Sequence, residues 1–201
     1  MNSLYLNEYA GNLEIIFSIG YGRKYSTSYI ERSISYSSYF QNIEKDNKGF
    51  APITNDVTLI KDLLPNLKVD LLNMPHYNQC LWAAESYLRI QGETGLTFEC
   101  IFLYIPINKM YEYFPLYHEM DFSHIIDEFK RLYAEKSALQ LLVERYHYSL
   151  SNLSKEIDVS YDMLYSLKLR RRDIKKTSVE IVARLSQVFN VRIETIAETI
   201  L

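Results

Sequence analysis

Hydrophobic positions along the chain follow two different patterns, and the change comes near residue 136. Before this point, short apolar runs rich in β-branched and aromatic residues end at Gly or Pro, which is typical of buried strands. These runs predict strands at 12–20, 67–75 and 96–105. Between and after them, apolar residues recur at helical spacing and predict helices at 57–65, 78–91, 108–115 and 122–135.

Strands mixed with helices in this order predict an α+β domain over residues 1–136. Ser137, with Gln140 three residues later, marks the next element. This is the spacing of a capping box, in which the hydroxyl accepts an orphan amide of the first helical turn and the glutamine reaches back. After Ser137 the pattern predicts four to five short helices, so residues 137–201 are expected to form a second, all-α domain.

Two short helices of the second domain share one hydrophobic seam, at the spacing of helices that meet at a steep angle. Ser154 supplies a small residue where the helices approach most closely. Ser160 can cap the start of the second helix. The apolar positions of the seam are Leu153, Ile157, Val159, Leu164 and Leu167.

This spacing resembles the helix-turn-helix of the phage-repressor (Xre/Cro-type) family, and the resemblance covers residues 137–201. Asp158 stands where the family commonly has Gly, and Asp visits left-handed backbone more easily than most residues. The run 170–172 stands where a Gly often follows the second helix. The resemblance implies a five-helix module that binds double-stranded DNA, commonly as a homodimer on a palindromic site.

In such modules the second helix of the motif enters the major groove, where base edges present distinct donors, acceptors and methyl groups. The residues expected to face the bases are Ser160, Tyr161, Asp162, Tyr165 and Ser166. Phosphate contacts carry little sequence information but hold the duplex in place. The residues expected at phosphates are Lys168, Arg170, Arg171, Arg172, Lys175, Lys176 and Thr177.

Charge is distributed unevenly along the chain, in agreement with this assignment. The formal net charge is −3, but residues 137–201 carry +2 and residues 1–136 carry −5. Six of the nine residues from 168 to 176 are basic. A basic run between helices is often only a solvated loop, but directly after a helix-turn-helix pattern it favours an anionic partner.

The remaining reactive side chains favour structural roles. Cys80 and Cys100 lie in apolar segments and are expected to be buried thiols. The pairs His76 with Cys80 and His118 with His124 lack the further ligands of a metal site. Nothing in the sequence argues for an enzyme or a cofactor, because Gly-rich phosphate loops, nucleophile elbows and paired catalytic carboxylates do not occur. Without a membrane-length apolar stretch or a secretory pattern, the chain is expected to be cytoplasmic, with no membrane partner.

Three functions stay open. The first is a sequence-specific transcriptional regulator whose residues 1–136 dimerise or bind a protein partner. The second is an effector of a mobile element, in which residues 1–136 are a toxin-like enzyme or an anti-defence inhibitor such as an anti-CRISPR, and the helix-turn-helix is autoregulatory. The third is binding of single-stranded nucleic acid by interleaved aromatic and basic residues, with a half-buried tyrosine surface as the alternative. These residues are Tyr21, Arg23, Lys24, Tyr25, Tyr29 and Arg32.

Overall fold

The computed structural model describes residues 3–22, 25–45, 63 and 77–198. Within these ranges, the regular secondary structure consists of twelve α-helices and one 3₁₀ turn, without a strand. The predicted α+β front domain is therefore wrong, and the described part of residues 1–136 is helical. The predicted helix at 57–65, apart from Leu63, and the predicted strand at 67–75 lie outside the described residues.

The helices divide into a front group and a C-terminal group. The front helices are α1 Ser3–Gly22, α2 Thr27–Tyr36, α3 Ser38–Glu44, α4 Tyr77–Thr94, α5 Phe98–Tyr104, α6 Ile107–Tyr117 and α7 Ser123–Glu135. The C-terminal elements are α8 Ala138–Arg145, α9 Leu150–Glu156, α10 Tyr161–Lys168, the 3₁₀ turn Ile174–Lys176, α11 Val179–Phe189 and α12 Ile193–Ala197.

Two predicted strands are helices for the same physical reason. Residues 12–20 belong to α1, and residues 98–104 of the predicted strand 96–105 form α5. Both segments are buried on nearly all sides, and a continuous apolar run does not distinguish a buried helix from a buried strand. The start of α5 carries a local signal, because the Thr97 hydroxyl accepts a hydrogen bond from the Cys100 amide at 3.2 Å.

The helices predicted at 78–91 and 122–135 are confirmed as α4 and α7. The helix predicted at 108–115 is longer than expected, since α6 continues through Pro115 to Tyr117. The front core forms where α1 lies along α4 and aromatic rings meet edge to face. Tyr87, for example, lies with its ring centroid 5.8 Å from Phe17 and 4.8 Å from Phe102.

The C-terminal helices surround a second hydrophobic core, to which α5 contributes Leu103. The front and C-terminal groups therefore share packed side chains across residues 136 and 137. The division of the chain at this point into two domains stays a prediction.

Each C-terminal helix ends at a residue in the left-handed backbone region, and none of these residues is glycine. They are His147, Asp158, Arg170, Asn190 and Glu198, with φ between 49° and 53°. The turn after α10 shows the associated hydrogen bonds, because the amide of Arg171 donates to the Ser166 carbonyl at 2.9 Å. The sequence has no glycine after Gly95, so these turns are made by residues that tolerate this backbone less readily.

The C-terminal helices also contain an internal repeat, in which a helix, a left-handed residue and a second helix occur twice. In α9 the Ser154 hydroxyl donates to the Val159 carbonyl at 2.6 Å, and in α11 the Ser186 hydroxyl donates to the Val191 carbonyl at 2.6 Å. Asp158 and Asn190 are the left-handed residues at equivalent positions. The helix α12 is therefore the counterpart of α10.

Candidate nucleic-acid interface

The seam between α9 and α10 is formed as predicted. Its five apolar residues are at most 8% exposed, and Ser154 is half-buried beside them. Ser160 is exposed and caps α10, because its hydroxyl accepts a hydrogen bond from the Met163 amide at 3.3 Å. The sequence therefore fixes which face of α10 is buried and which is free.

The free face of α10 carries two stacked aromatic rings. Tyr161 is 49% exposed and Tyr165 38% exposed, and their centroids lie 6.1 Å apart with an interplanar angle of 12°. Asp162 is exposed next to them, and Ser166 is half-buried. The five predicted base-facing residues therefore lie on one helix or at its cap, and four of them are exposed.

The basic residues that follow α10 lie beside this face. The guanidinium of Arg171 is 5.7 Å from the centroid of the Tyr165 ring. Arg172, Lys175 and Lys176 are exposed, and Lys168 is half-buried on the last turn of the helix. We call these five cations the basic edge: Lys168, Arg171, Arg172, Lys175 and Lys176.

The basic edge differs from most other cations of the described chain in its partners. Lys130, Lys136 and Arg184 each have a carboxylate oxygen within 4.0 Å. No carboxylate of the described residues lies this close to any cation of the basic edge. The edge is therefore a local excess of positive charge in which none of the five cations forms an ion pair within the described chain.

Arg170 has a different environment from its neighbours. Its guanidinium donates to Glu198 Oε1 at 2.6 Å, to the Tyr104 hydroxyl at 3.2 Å and to the Tyr133 carbonyl, and it lies 4.8 Å from the Tyr133 ring centroid. Burial raises the pKa of Tyr104, and the adjacent Glu198 carboxylate raises it further. Arg170 thus joins the loop after α10 to the front helices, and we leave it out of the basic edge.

The predicted capping box is only partly formed. The Ser137 hydroxyl accepts from the Gln140 amide at 3.0 Å, but the Gln140 side chain donates to Glu144 at 3.0 Å instead of reaching back. Thr177, predicted at a phosphate, is half-buried and ends the 3₁₀ turn. Ser178 occupies the cap position of α11 without a side-chain hydrogen bond.

At α12, the C-terminal helices are attached to the front helices by buried charged groups. Arg192, at the start of α12, donates to Glu44 Oε2 at 2.7 Å, and their side chains are 11% and 0% exposed. The other Glu44 oxygen accepts from the Phe98 amide at 2.6 Å. Glu99 Oε2 accepts from the Arg192 amide and from the Thr195 hydroxyl, both at 2.7 Å. Sequence reasoning missed these residues, whose only local signal is a carboxylate within a largely buried helix.

The interleaved aromatic and basic segment is described only in part. The side chains of Tyr21, Arg23 and Lys24 lie outside the described residues. The rings of Tyr25 and Tyr29 are stacked with centroids 5.5 Å apart. Arg32 is exposed and lines a cavity between the front and C-terminal helices.

Cys80, Cys100, His118 and His124 lie among the front helices, apart from the α10 face. Cys80 and Cys100 are free thiols with no exposed area, which confirms the prediction of buried thiols, and burial raises the pKa of both. His118 stacks on Phe114 with centroids 4.5 Å apart, and His124 is exposed. His76 lies outside the described residues.

Comparison of the chain with protein-family models, with curated proteins and with solved structures finds no match. Within the described part of the chain, no helix has both the length and the apolar character needed to cross a membrane. The arguments for function therefore rest on the geometry of the α10 face and the basic edge.

Proposed function

We propose that this protein is a DNA-binding transcriptional regulator that reads duplex DNA through α10. The observation that carries the proposal is a capped helix with one exposed face beside five cations that form no ion pair within the described chain. A duplex supplies the missing counter-charge, because its phosphates lie on both sides of the groove that admits a helix.

In this proposal the residues divide by role. Tyr161, Asp162, Tyr165 and Ser166, with Ser160 at the helix start, face the base edges. The carboxylate of Asp162 is an acceptor for a cytosine amino group, and the tyrosine hydroxyls both donate and accept. The basic edge contacts phosphates and contributes affinity without sequence preference.

The proposal includes a homodimer on a palindromic site. The helix α10 has eight residues, so it spans about 12 Å and reads only a few base pairs. A second copy doubles the number of bases read, as in the family that the sequence resembles. Light scattering of the free protein and the stoichiometry of the DNA complex test this part.

Selection of bound sequences from a random duplex pool tests the reading of bases. We expect enrichment of one motif by the wild type, and loss of the motif by Tyr161→Ala with weak binding retained. Equal recovery of all sequences by the wild type would contradict sequence-specific recognition.

The salt dependence of binding tests the basic edge. Neutralised phosphates each add about 0.9 to the slope of log K against log salt, so Arg171→Ala/Arg172→Ala should lower the slope by about 2. Lys109→Ala/Lys130→Ala removes the same charge from the front helices and serves as the matched control, with an unchanged slope expected. A flat salt response of the wild type would refute the phosphate role of these residues.

A further inference from the structure

A cavity of about 540 Å³ lies where the front and C-terminal helices meet. The front helices α2 and α5 line one side of it, and α8 with the turn between α11 and α12 lines the other. Its volume falls within the range of cavities that hold small organic ligands, and such sites occur preferentially between packed units. The proposed DNA binding through α10 does not use this cavity.

Two guanidinium groups line the cavity without a carboxylate partner. Arg145 donates to the carbonyls of Phe102 and Leu103, both at 3.2 Å. Arg32 lies 5.4 Å from the ring centroid of Tyr36, and the side-chain amide oxygen of Asn190 accepts from it at 2.8 and 3.1 Å. Neither arginine has a carboxylate oxygen of another described residue within 4.0 Å.

Outside the loop after α10, most other arginines of the described chain do have such a partner. Arg131, Arg184 and Arg192 are each paired with a glutamate at 2.5 to 2.8 Å, and Arg170 of that loop is paired with Glu198 at 2.6 Å. The arginines of the cavity therefore lack an ion-paired carboxylate, and both are exposed. Two such cations beside one cavity can hold one anion together through charge-assisted hydrogen bonds.

The remaining lining combines apolar surface with aromatic edges. Phe102, Leu103, Leu142 and Val191 are apolar, and the rings of Tyr29 and Tyr146 are partly exposed at the rim. These six side chains line the cavity together with Ser26 and Ser28. Such a surface accommodates a flat apolar body next to the charged group of a ligand.

The two carboxylates of the cavity are already engaged. Glu99 accepts from the amide of Arg192 and the hydroxyl of Thr195. Glu31 accepts from the Ile107 amide at 2.8 Å, and burial raises its pKa to about 7, partly offset by that hydrogen bond and by the charge of Arg145. At neutral pH the Glu31 carboxyl thus carries a proton in a large fraction of molecules, so it repels an anion less than an ordinary glutamate does.

We propose that this cavity binds a small aromatic anion, whose carboxylate or phosphate is held by Arg32 and Arg145 and whose ring lies against the tyrosines of the rim. This site is independent of the α10 face. Ligand binding in the cavity can be tested in the absence of DNA, so a negative result there is distinguishable from a failure of the proposed DNA binding.

The test is calorimetric titration of the full chain with salicylate and adenosine 5′-monophosphate, each paired with its neutral counterpart, salicylamide and adenosine. We expect at least one anion to bind with a Kd below about 1 mM and its neutral counterpart to bind at least about tenfold more weakly. The better anion tells whether the charged group is a carboxylate or a phosphate, and inorganic phosphate alone tells whether the ring contributes.

Two variants and one control locate the binding. Arg32→Gln removes an exposed cation of the cavity, and Ser28→Trp fills it from the exposed side of α2. We expect the first to weaken binding about fivefold or more and the second to abolish it. Arg131→Gln removes an exposed arginine of α7 and should bind as the wild type does. Binding by no anion, equal binding of the neutral counterparts, or undiminished binding by folded Arg32→Gln and Ser28→Trp would each overturn the proposal.

Discussion

The front and C-terminal helices use their charged groups in different ways. On the front helices, exposed cations such as Lys109, Lys130 and Arg131 have glutamate partners, and the core is built from long, mostly buried helices. The C-terminal helices are mostly short, all five end in left-handed turns around one hydrophobic core, and one edge carries cations without ion-pair partners. Charge that is neutralised internally contributes little to the field outside the protein, whereas charge left unpaired is available for a partner.

Within the C-terminal helices the cations are not all alike. On the side of α12, Arg192 is as fully paired as any cation of the front helices, through Glu44. The same small helical unit therefore has an attached side and a free side. The following experiments test whether these two sides are energetically as different as their contacts indicate.

The largest effect is expected at the buried ion pair between the two groups of helices. Arg192→Ala leaves Glu44 buried without its cation, and removal of one partner of such a pair costs about 3 to 5 kcal/mol in the free energy of unfolding. Urea denaturation followed by circular dichroism measures it. Lys130→Ala, at an exposed ion pair, is the control and should unfold nearly as the wild type does. Equal losses in the two variants would contradict the assignment of Arg192 as an anchor.

A pH-dependent effect is expected at Glu31, on the front side of the cavity. Its folded-state pKa of about 7 lies above the ordinary value of 4.5, so ionisation of Glu31 opposes folding. The free energy of unfolding therefore falls as the pH rises from the ordinary pKa through the folded-state pKa. Glu31→Gln keeps an acceptor for the Ile107 amide and removes the titration. Relative to this variant, the wild type should lose about 2 to 3 kcal/mol between pH 5 and pH 8.

Urea denaturation of the wild type and Glu31→Gln at both pH values provides the measurement. A difference between the two proteins that stays constant with pH would mean that Glu31 is not buried as described. Glu112, an exposed glutamate of α6, offers the matched control, since Glu112→Gln should leave the pH dependence of stability unchanged.

Neighbouring arginines of the loop after α10 provide a sharper comparison. Arg170→Ala removes hydrogen bonds to Glu198 and Tyr104 and should lower the free energy of unfolding by about 1 kcal/mol, since the side chain is partly exposed. Arg171→Ala should leave stability nearly unchanged but weaken DNA binding more than Arg170→Ala does. Thermal unfolding and fluorescence anisotropy with duplex DNA measure the two properties, and the reverse order in either would undo the division of roles.

The smallest effect is expected at the left-handed helix ends. His147 is exposed with φ of 51°, and glycine adopts this backbone without the clash of a Cβ atom. His147→Gly should therefore raise the free energy of unfolding by about 0.5 kcal/mol. The relief of backbone strain in the folded state exceeds the additional conformational entropy that a glycine loses on folding. Ser151→Gly, within α9, is the control and should lower it. Destabilisation by both changes would show that His147 makes a favourable contact.

How far the sequence predicts this molecule differs between the two groups of helices. The seam around Leu164 and the cap at Ser160 were predictable, because helix spacing and capping are local properties. The fold of residues 96–105 was not, since a short helix buried on all sides lacks the polar face that makes its periodicity visible. The raised pKa of Glu31 and the partners of Arg170 could not be predicted either, because residues distant in the sequence create their environments.

The internal repeat of the C-terminal helices has a geometric consequence. The helix α12 stands in the same relation to α11 as α10 does to α9, and it is clamped by Glu44 and Glu99. Both helix pairs pack around one core, so the contacts of α12 with Glu44 and Glu99 also restrict how α10 lies relative to the front helices. A duplex that docks on α10 would meet the front helices at one fixed distance and angle, so two copies bound to one palindrome would hold their front helices in a single mutual arrangement.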